Sequence, residues 1–366
     1  MLQPIATDLQ NLGLRSGDTV LVRCAARAIK VSGGSPATAL FDGIMEAIGP
    51  SGTLVALAFT PDFYFWQKKQ AAQFPFHPGA KSDTGAFSQV VVDHPLSVRS
   101  RHPTNSFSAL GPNADEIVRG HDENETAFYP LKKLIELGGK LLLVGCVESS
   151  PGFSTVHRVQ EDLGLADKTL MSRMRICAVQ DGDHVSWFER RDISGCSAGF
   201  GKFYSHYEAA GILRSGPVGG AYSIFADAAA AYRVERAILE KDPTAAFCDD
   251  PSCTSCGLRT YAPARMIRFF LSAPLKMRLA LLTSTIHLEQ RFTVRKQILR
   301  KGSIQLRLTL MEEFIPGSMY WNYQALLKRT PSNLLSINYF FRYGLLTRAP
   351  FQEPSYFFMY SCRVFT

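Results

Sequence analysis

The chain has 366 residues, a formal net charge of +8, 46% hydrophobic and 20% charged residues, which is a soluble globular balance and excludes a disordered or fibrous protein. No apolar run is long enough to span a bilayer. The start, Met1 to Leu14, lacks the basic and apolar segments of an export signal, so a cytoplasmic protein is expected, with cysteines that serve as thiols or metal ligands. The charge is uneven: residues 257–366 hold sixteen Lys and Arg against four Asp and Glu, which leaves the first 256 residues slightly acidic. The basic tail is therefore a separate feature, and the body suits a neutral or cationic small molecule.

In chain order, residues 4–12 predict a short helix, and Arg15-Ser16-Gly17-Asp18 a turn. Thr19 to Val22 predicts a buried strand. Small residues and Arg27 follow, then Gly33-Gly34. Ser35-Pro36 starts a helix that runs to about Ile48, and Thr53 to Phe59 is a second strand. This βαβ pattern predicts a parallel, buried sheet. Residues 60–82, rich in aromatics, Lys and Pro, read as a long loop that forms either a binding wall or core packing. A helix is predicted from Thr84 to Val92. His94 to Gly111 is dense in polar groups, and Arg99, Arg101, His102, Thr104, Asn105 and Ser106 offer donors suited to a phosphate or to pantetheine amides. Helices are predicted at 115–119 and 131–137.

Leu141 to Leu165 is the stretch around which the rest is organised. A short apolar strand ends at Gly145, and helical spacing of Val156, Val159 and Leu163 begins at Thr155, with Ser154 or Thr155 as the cap. His157 falls in the first turn, beyond a strand end, where ligands bind in α/β sheets. Glu161, at i+4, lies on the same helix face. A carboxylate there would orient the ring and raise its basicity. Such pairs are more often solvated surface pairs than catalytic ones. Hairpins are predicted at 174–188 and 213–224, and helices at 203–210 and 226–240. Cys24 and Cys146 offer an acyl-cysteine route, but nothing around Cys146 suggests an activated thiolate.

Cys248, Cys253 and Cys256 have the close spacing of a metal clip, for structural zinc or, less in keeping with the spacing, an iron–sulfur cluster. A fourth ligand would have to come from Cys362, Cys196 or a histidine; free thiols are the alternative. Beyond Thr260 the basic, aromatic-rich sequence reads as a helical appendage, with no motif for nucleic acid or membrane.

Several stretches, in order, resemble the aminoglycoside 3-N-acetyltransferase family, also called antibiotic N-acetyltransferases. They are residues 12–22, 33–55, 84–91, 99–112 (RSRHPTNSFSALGP), 134–146, 154–164 (STVHRVQEDLG) and 216–223. The resemblance implies an α/β fold that binds acetyl-CoA and moves its acetyl group to an amine of an aminoglycoside or related aminosugar. It makes His157 the general base, with Glu161 as its partner, and puts the His102 to Ser106 loop near cofactor and substrate. Arg27, Gly33, Gly34, Thr60, Arg101, His102, Thr104 and Ser106 form the expected cofactor-binding set. Gln160 stands where the family has a glutamate, and Asn105 where its loop has a second histidine.

The expected architecture is a mostly parallel central sheet flanked by helices, with β-hairpin additions and a basic, partly helical C-terminal appendage. It divides into a transferase domain (1–246), the cysteine clip (247–260) and the appendage (261–366). A homodimer is the assembly carried forward. The rival readings are a non-catalytic binding protein on the same scaffold and a metal-dependent regulatory protein that uses the clip.

Overall fold

Alternating burial along the strands sets the architecture. In β1 (Thr19–Cys24), Val20 and Val22 face one side and Leu21 the other, and all are buried. Buried on both faces, such a strand needs helices above and below. The computed structural model describes residues 4–191 and 196–272, and there the chain builds this three-layer arrangement. The first half comprises α1 (Ile5–Leu12), β1, α2 (Pro36–Ile48), β2 (Thr53–Leu57), β3 (Phe63–Tyr64), α3 (Lys68–Ala71) and α4 (Ala86–Asp93). Then come β4 (Val98–Arg99), β5 (Phe107–Leu110), α5 (Ala114–Val118), α6 (Tyr129–Glu136), β6 (Lys140–Val144) and α7 (Thr155–Asp162). The remainder is β7 (Arg175–Asp181), β8 (His184–Arg190), a 3-10 turn at Ser197–Phe203, α8 (Tyr204–Ala209), β9 (Arg214–Val218), β10 (Ala221–Asp227) and α9 (Ala228–Lys241). Short α10 (Thr254–Gly257) and α11 (Pro263–Ser272) close the described part.

Seven strands form one sheet in the order β4-β5-β2-β1-β6-β10-β9. The three inner strands, β2, β1 and β6, are parallel, as the βαβ pattern predicts. The antiparallel β5 and β4 flank them on one side, and β10 and β9 on the other. The expected α/β sheet is thus present, with its parallel part confined to the centre. One core packs Leu21, Val55, Leu141 and Leu143 against α5, α6, α7 and α9. The other packs Val20, Val22, Leu54 and Leu142 against α1, α2 and α4.

The predicted hairpin at 174–188 is β7 and β8, and the segment expected as a loop adds β3 to it as a separate three-stranded sheet. The aromatics of that segment are largely engaged with one another and with cations: Tyr64 stacks on Trp66 at 4.5 Å, with Arg175 over the Tyr64 ring. The polar stretch 94–111 contributes two strands that the sequence reading did not give: the two-residue, half-buried β4, and β5, whose buried Ser108 sits among apolar neighbours. Among the described residues no helix is long and apolar enough to cross a membrane. The expected appendage begins within the described part as α11, and Phe269 there is buried against the clip through Gly257. Residues 273–366, with Cys362 and the basic aromatic stretches, lie outside the described residues.

Candidate active site

The inner parallel strands end together, with Cys24 beside Val144, so the loops after β1, β2 and β6 emerge at one edge. The loop from Gly145 to Ser154 returns to that edge and starts α7. It is clamped from two sides. Arg23, at the end of β1, donates to the carbonyl of Gly152 at 2.7 Å and to the carbonyl and hydroxyl of Ser150. The Tyr204 hydroxyl donates to the Val147 carbonyl at 2.8 Å and accepts from the Gly152 N–H at 2.7 Å. Gly152, at φ 75°, lies so close to Phe200 that a Cβ there would collide with it. A buried, left-handed glycine is the residue such an approach requires.

This loop fixes the start of α7, and with it His157. The half-buried imidazole stacks on Phe128 at 4.4 Å between centroids, and Phe200 closes on its edge at 4.7 Å. Nδ1 lies 3.3 Å from Oε1 of Gln160. An amide oxygen at that position suits a proton on Nδ1, the tautomer that leaves Nε2 as the basic nitrogen. Burial is the main reason the His157 pKa falls to about 3; the Gln160 hydrogen bond opposes the fall, and the charges of Arg23, Arg190 and Arg259 add to it.

Two expectations about this helix need correction. Glu161 directs Oε1 to the Phe128 N–H at 2.9 Å and Oε2 to Arg158 at 3.1 Å, so the group held against Nδ1 is the Gln160 amide at i+3. Ser154 precedes the helix without a side-chain cap. Thr155 instead donates to the carboxyl of Glu235 on α9 at 2.7 Å, and the Tyr207 hydroxyl donates to the same oxygen at 2.6 Å. Glu235 is fully buried, and that burial raises its pKa to about 8. The carboxyl therefore ties α7 to α9 and α8.

The predicted cofactor-binding residues separate into two groups. His102, Thr104 and Ser106 are buried, and the polar groups that form bonds use them within the protein. His102 Nδ1 accepts from the N–H groups of Thr104 and Asn105 at 3.3 and 3.0 Å. Thr104 donates to the Asn105 side chain. Ser106 donates to the Ala58 carbonyl at 2.6 Å and accepts from Arg99. Thr60 is buried too and donates through its hydroxyl to the Pro103 carbonyl. These bonds make the loop a clasp that holds the end of β2. Arg27, Gly33, Gly34 and Arg101 are exposed, with the two glycines just before the capped start of α2.

Aromatic rings join the two regions. Phe128 packs edge-on against Phe59 and Phe107, and Phe107 against His121, which stacks on His102 at 4.8 Å. The cysteines set aside as nucleophiles remain so, because burial raises the thiol pKa of both Cys24 and Cys146. Arg23 and Phe200 were the residues the sequence reading missed as parts of the site. Their signal lies only in contacts between distant segments.

An α/β scaffold with a histidine at the start of a helix, beyond the ends of parallel strands, is a scaffold suited to proton transfer at a bound small molecule. Residues 21–240 match the aminoglycoside 3-N-acetyltransferase family, and the chain belongs to that family. It is 33% identical over 158 residues to the aminoglycoside N(3)-acetyltransferase VIII of Streptomyces fradiae, covering 38% of this chain and 54% of that relative. The chain thus spans about half the length of that curated relative. Among solved structures it is similar to aminoglycoside acetyltransferase AAC(3)-Xa, with 30% identity, a TM-score of 0.56, and coverage of 65% of this chain and 92% of that one. It is also similar to AAC-IIIb in its binary complex with CoASH, with 27% identity, a TM-score of 0.54, and coverage of 65% and 95%.

Proposed function

We propose that this protein is a cytoplasmic enzyme that transfers the acetyl group of acetyl-CoA to an amino group of an aminoglycoside or related aminosugar, with His157 as general base. The carrying observation is the His157 ring itself: half-buried, held between Phe128 and Phe200, with Nδ1 beside Gln160. Family membership and the CoASH complex of AAC-IIIb support acetyl-CoA as the donor. In this reading Nε2 takes a proton from the acceptor ammonium. The freed amine attacks the thioester carbonyl carbon, the C–S bond breaks, the leaving CoA thiolate takes the proton held on Nε2, and the nitrogen releases its second proton to solvent as the amide forms. Exposed Arg27, Arg101 and the Gly33-Gly34 turn are the proposed contacts for CoA phosphates.

Gln160 can orient the ring as a carboxylate would, but it cannot stabilise the imidazolium. Glu161, the partner expected from spacing, acts in this reading by holding Phe128 under the ring. The test is release of CoA thiol from acetyl-CoA by wild type and His157→Ala against aminoglycosides and simple aminosugars. Release that needs both an amine and His157 supports the proposal. Amine-dependent release untouched by His157→Ala overturns the base assignment. Acetyl-CoA binding with no release from any acceptor replaces the enzyme with a binding protein.

A further inference from the structure

Four cysteines from two distant parts of the chain converge: Cys196, just before the Ser197–Phe203 turn, and Cys248, Cys253 and Cys256 of the clip. Their sulfur atoms all lie within 4.8 Å of one another, and Cys248 and Cys256 Sγ are 3.7 Å apart. A tetrahedral ion with bonds of about 2.3 Å to sulfur puts its ligands about 3.8 Å apart. A disulfide would need about 2.0 Å, and all four are free thiols. Thiolates spread over several irons of a cluster stand farther apart than those on one ion, so the compact set favours a single metal.

The surroundings suit a thiolate centre. The Ala198 N–H donates to Cys196 Sγ at 3.4 Å. Arg265 donates to the carbonyls of Cys248, at 2.9 Å, and Asp250. Arg259, 2% exposed, donates to the Ser255 carbonyl at 2.8 Å inside the clip. These cations, buried Arg259 and half-buried Arg265, offset the negative charge that four thiolates and a divalent ion would leave.

We infer that Cys196, Cys248, Cys253 and Cys256 form a four-thiolate zinc site, and that the ion clamps the Ser197–Phe203 turn, and with it Phe200, against the His157 ring. The spacing within the sequence supplied three of these ligands; the fold supplies Cys196 as the fourth. The two ligand-bearing segments are already laced together. Gly199 packs on the backbone of Ala246 and Phe247, where a Cβ would not fit. Lys202 donates to the Phe247 carbonyl at 2.8 Å and pairs with Asp249 at 2.7 Å. Arg259 extends the link to the chain after α7, by donating to the Leu165 and Ala166 carbonyls at 3.2 Å. The metal therefore holds the wall of the site from outside and touches no reacting atom.

The zinc assignment stands apart from acetyl transfer; only its effect on turnover rests on the proposed function. The test is metal analysis of the full chain, purified without added metal, followed by replacement with cobalt(II). About one zinc per chain and negligible iron is expected. The cobalt form should show the strong visible bands of a tetrahedral ion and thiolate-to-metal charge transfer. Cys196→Ser should lose most of the zinc, while Cys196→His should keep it and shift the cobalt bands, because three thiolates and an imidazole still make a tetrahedral set. Wild type free of metal, iron in place of zinc, or a Cys196→Ser protein with unchanged zinc and cobalt spectrum each overturns the assignment. Full zinc loading with no acetyl transfer would remove the proposed function and leave the metal site intact.

Discussion

His102 and His157 lie at opposite ends of one aromatic cluster, and burial lowers the pKa of both. One is 0% exposed, with Nδ1 capping two N–H groups of its own loop. The other is half-buried, with Nδ1 beside the Gln160 side chain. The comparison teaches that a depressed histidine pKa marks burial, whereas access and the direction of the hydrogen bonds mark a group placed to act. Both histidines come from motifs that carry the family resemblance, which implies the general base at His157 and a cofactor contact at His102.

The largest effect that would break this comparison is on turnover. His157→Ala is expected to lower amine-dependent CoA release by about 10²- to 10⁴-fold with the melting temperature little changed. His102→Ala is expected to do the reverse. Removing a buried ring that accepts two N–H bonds should cost about 3 kcal/mol of stability, read by denaturant unfolding, with turnover per folded molecule largely kept. A loss of turnover from His102→Ala without loss of stability would return that loop to the cofactor site.

Two pH experiments sharpen the contrast. With its pKa at about 3, His157 is neutral across the usual working range, so the wild-type rate should lack an acid limb near pH 6.5. Gln160→Glu puts a negative acceptor on Nδ1 and should raise the His157 pKa by about 1–3 units, which brings an acid limb into kcat/KM profiles. An unchanged profile would show that Gln160 does not govern the ring.

The smaller effect is on stability. His157 and His121, each lowered to about 3, bind protons more weakly folded than unfolded. Their contribution is full above pH 6.5 and is lost as the pH falls toward 3. Glu235, raised to about 8 from 4.5, has the opposite sign: its contribution is full below pH 4.5 and is lost as the pH rises through 8. Melting temperatures should therefore fall on the acid side in wild type. On the alkaline side, Glu235→Gln should flatten the decline that wild type shows, and an unaltered decline would count against the buried carboxyl as its source.

Much of the scaffold was legible because period and punctuation agree locally. Pro36 at the start of α2, Gly182 between β7 and β8, and the apolar positions of α7 each depend on neighbours in sequence. What was not legible involved competition. His157 could meet residue i+3 or i+4, and Glu161 went to Phe128 and Arg158, groups that only the fold brings near. Thr155 looked like a cap until Glu235, from α9, claimed its hydroxyl. The polar stretch before Gly111 looked like a ligand loop because its hydroxyls and imidazole are donors in either setting, and burial alone assigns them to the clasp.

The sequence by itself determined the α/β alternation, the parallel inner strands, the position of His157 at a strand end and three cysteines of the clip, since each follows from spacing over a few residues. Tertiary structure decided which side chain meets the imidazole, which of the polar residues face solvent, and that Cys196 joins the clip. Those outcomes rest on distances between segments far apart in the chain, which local periodicity does not encode.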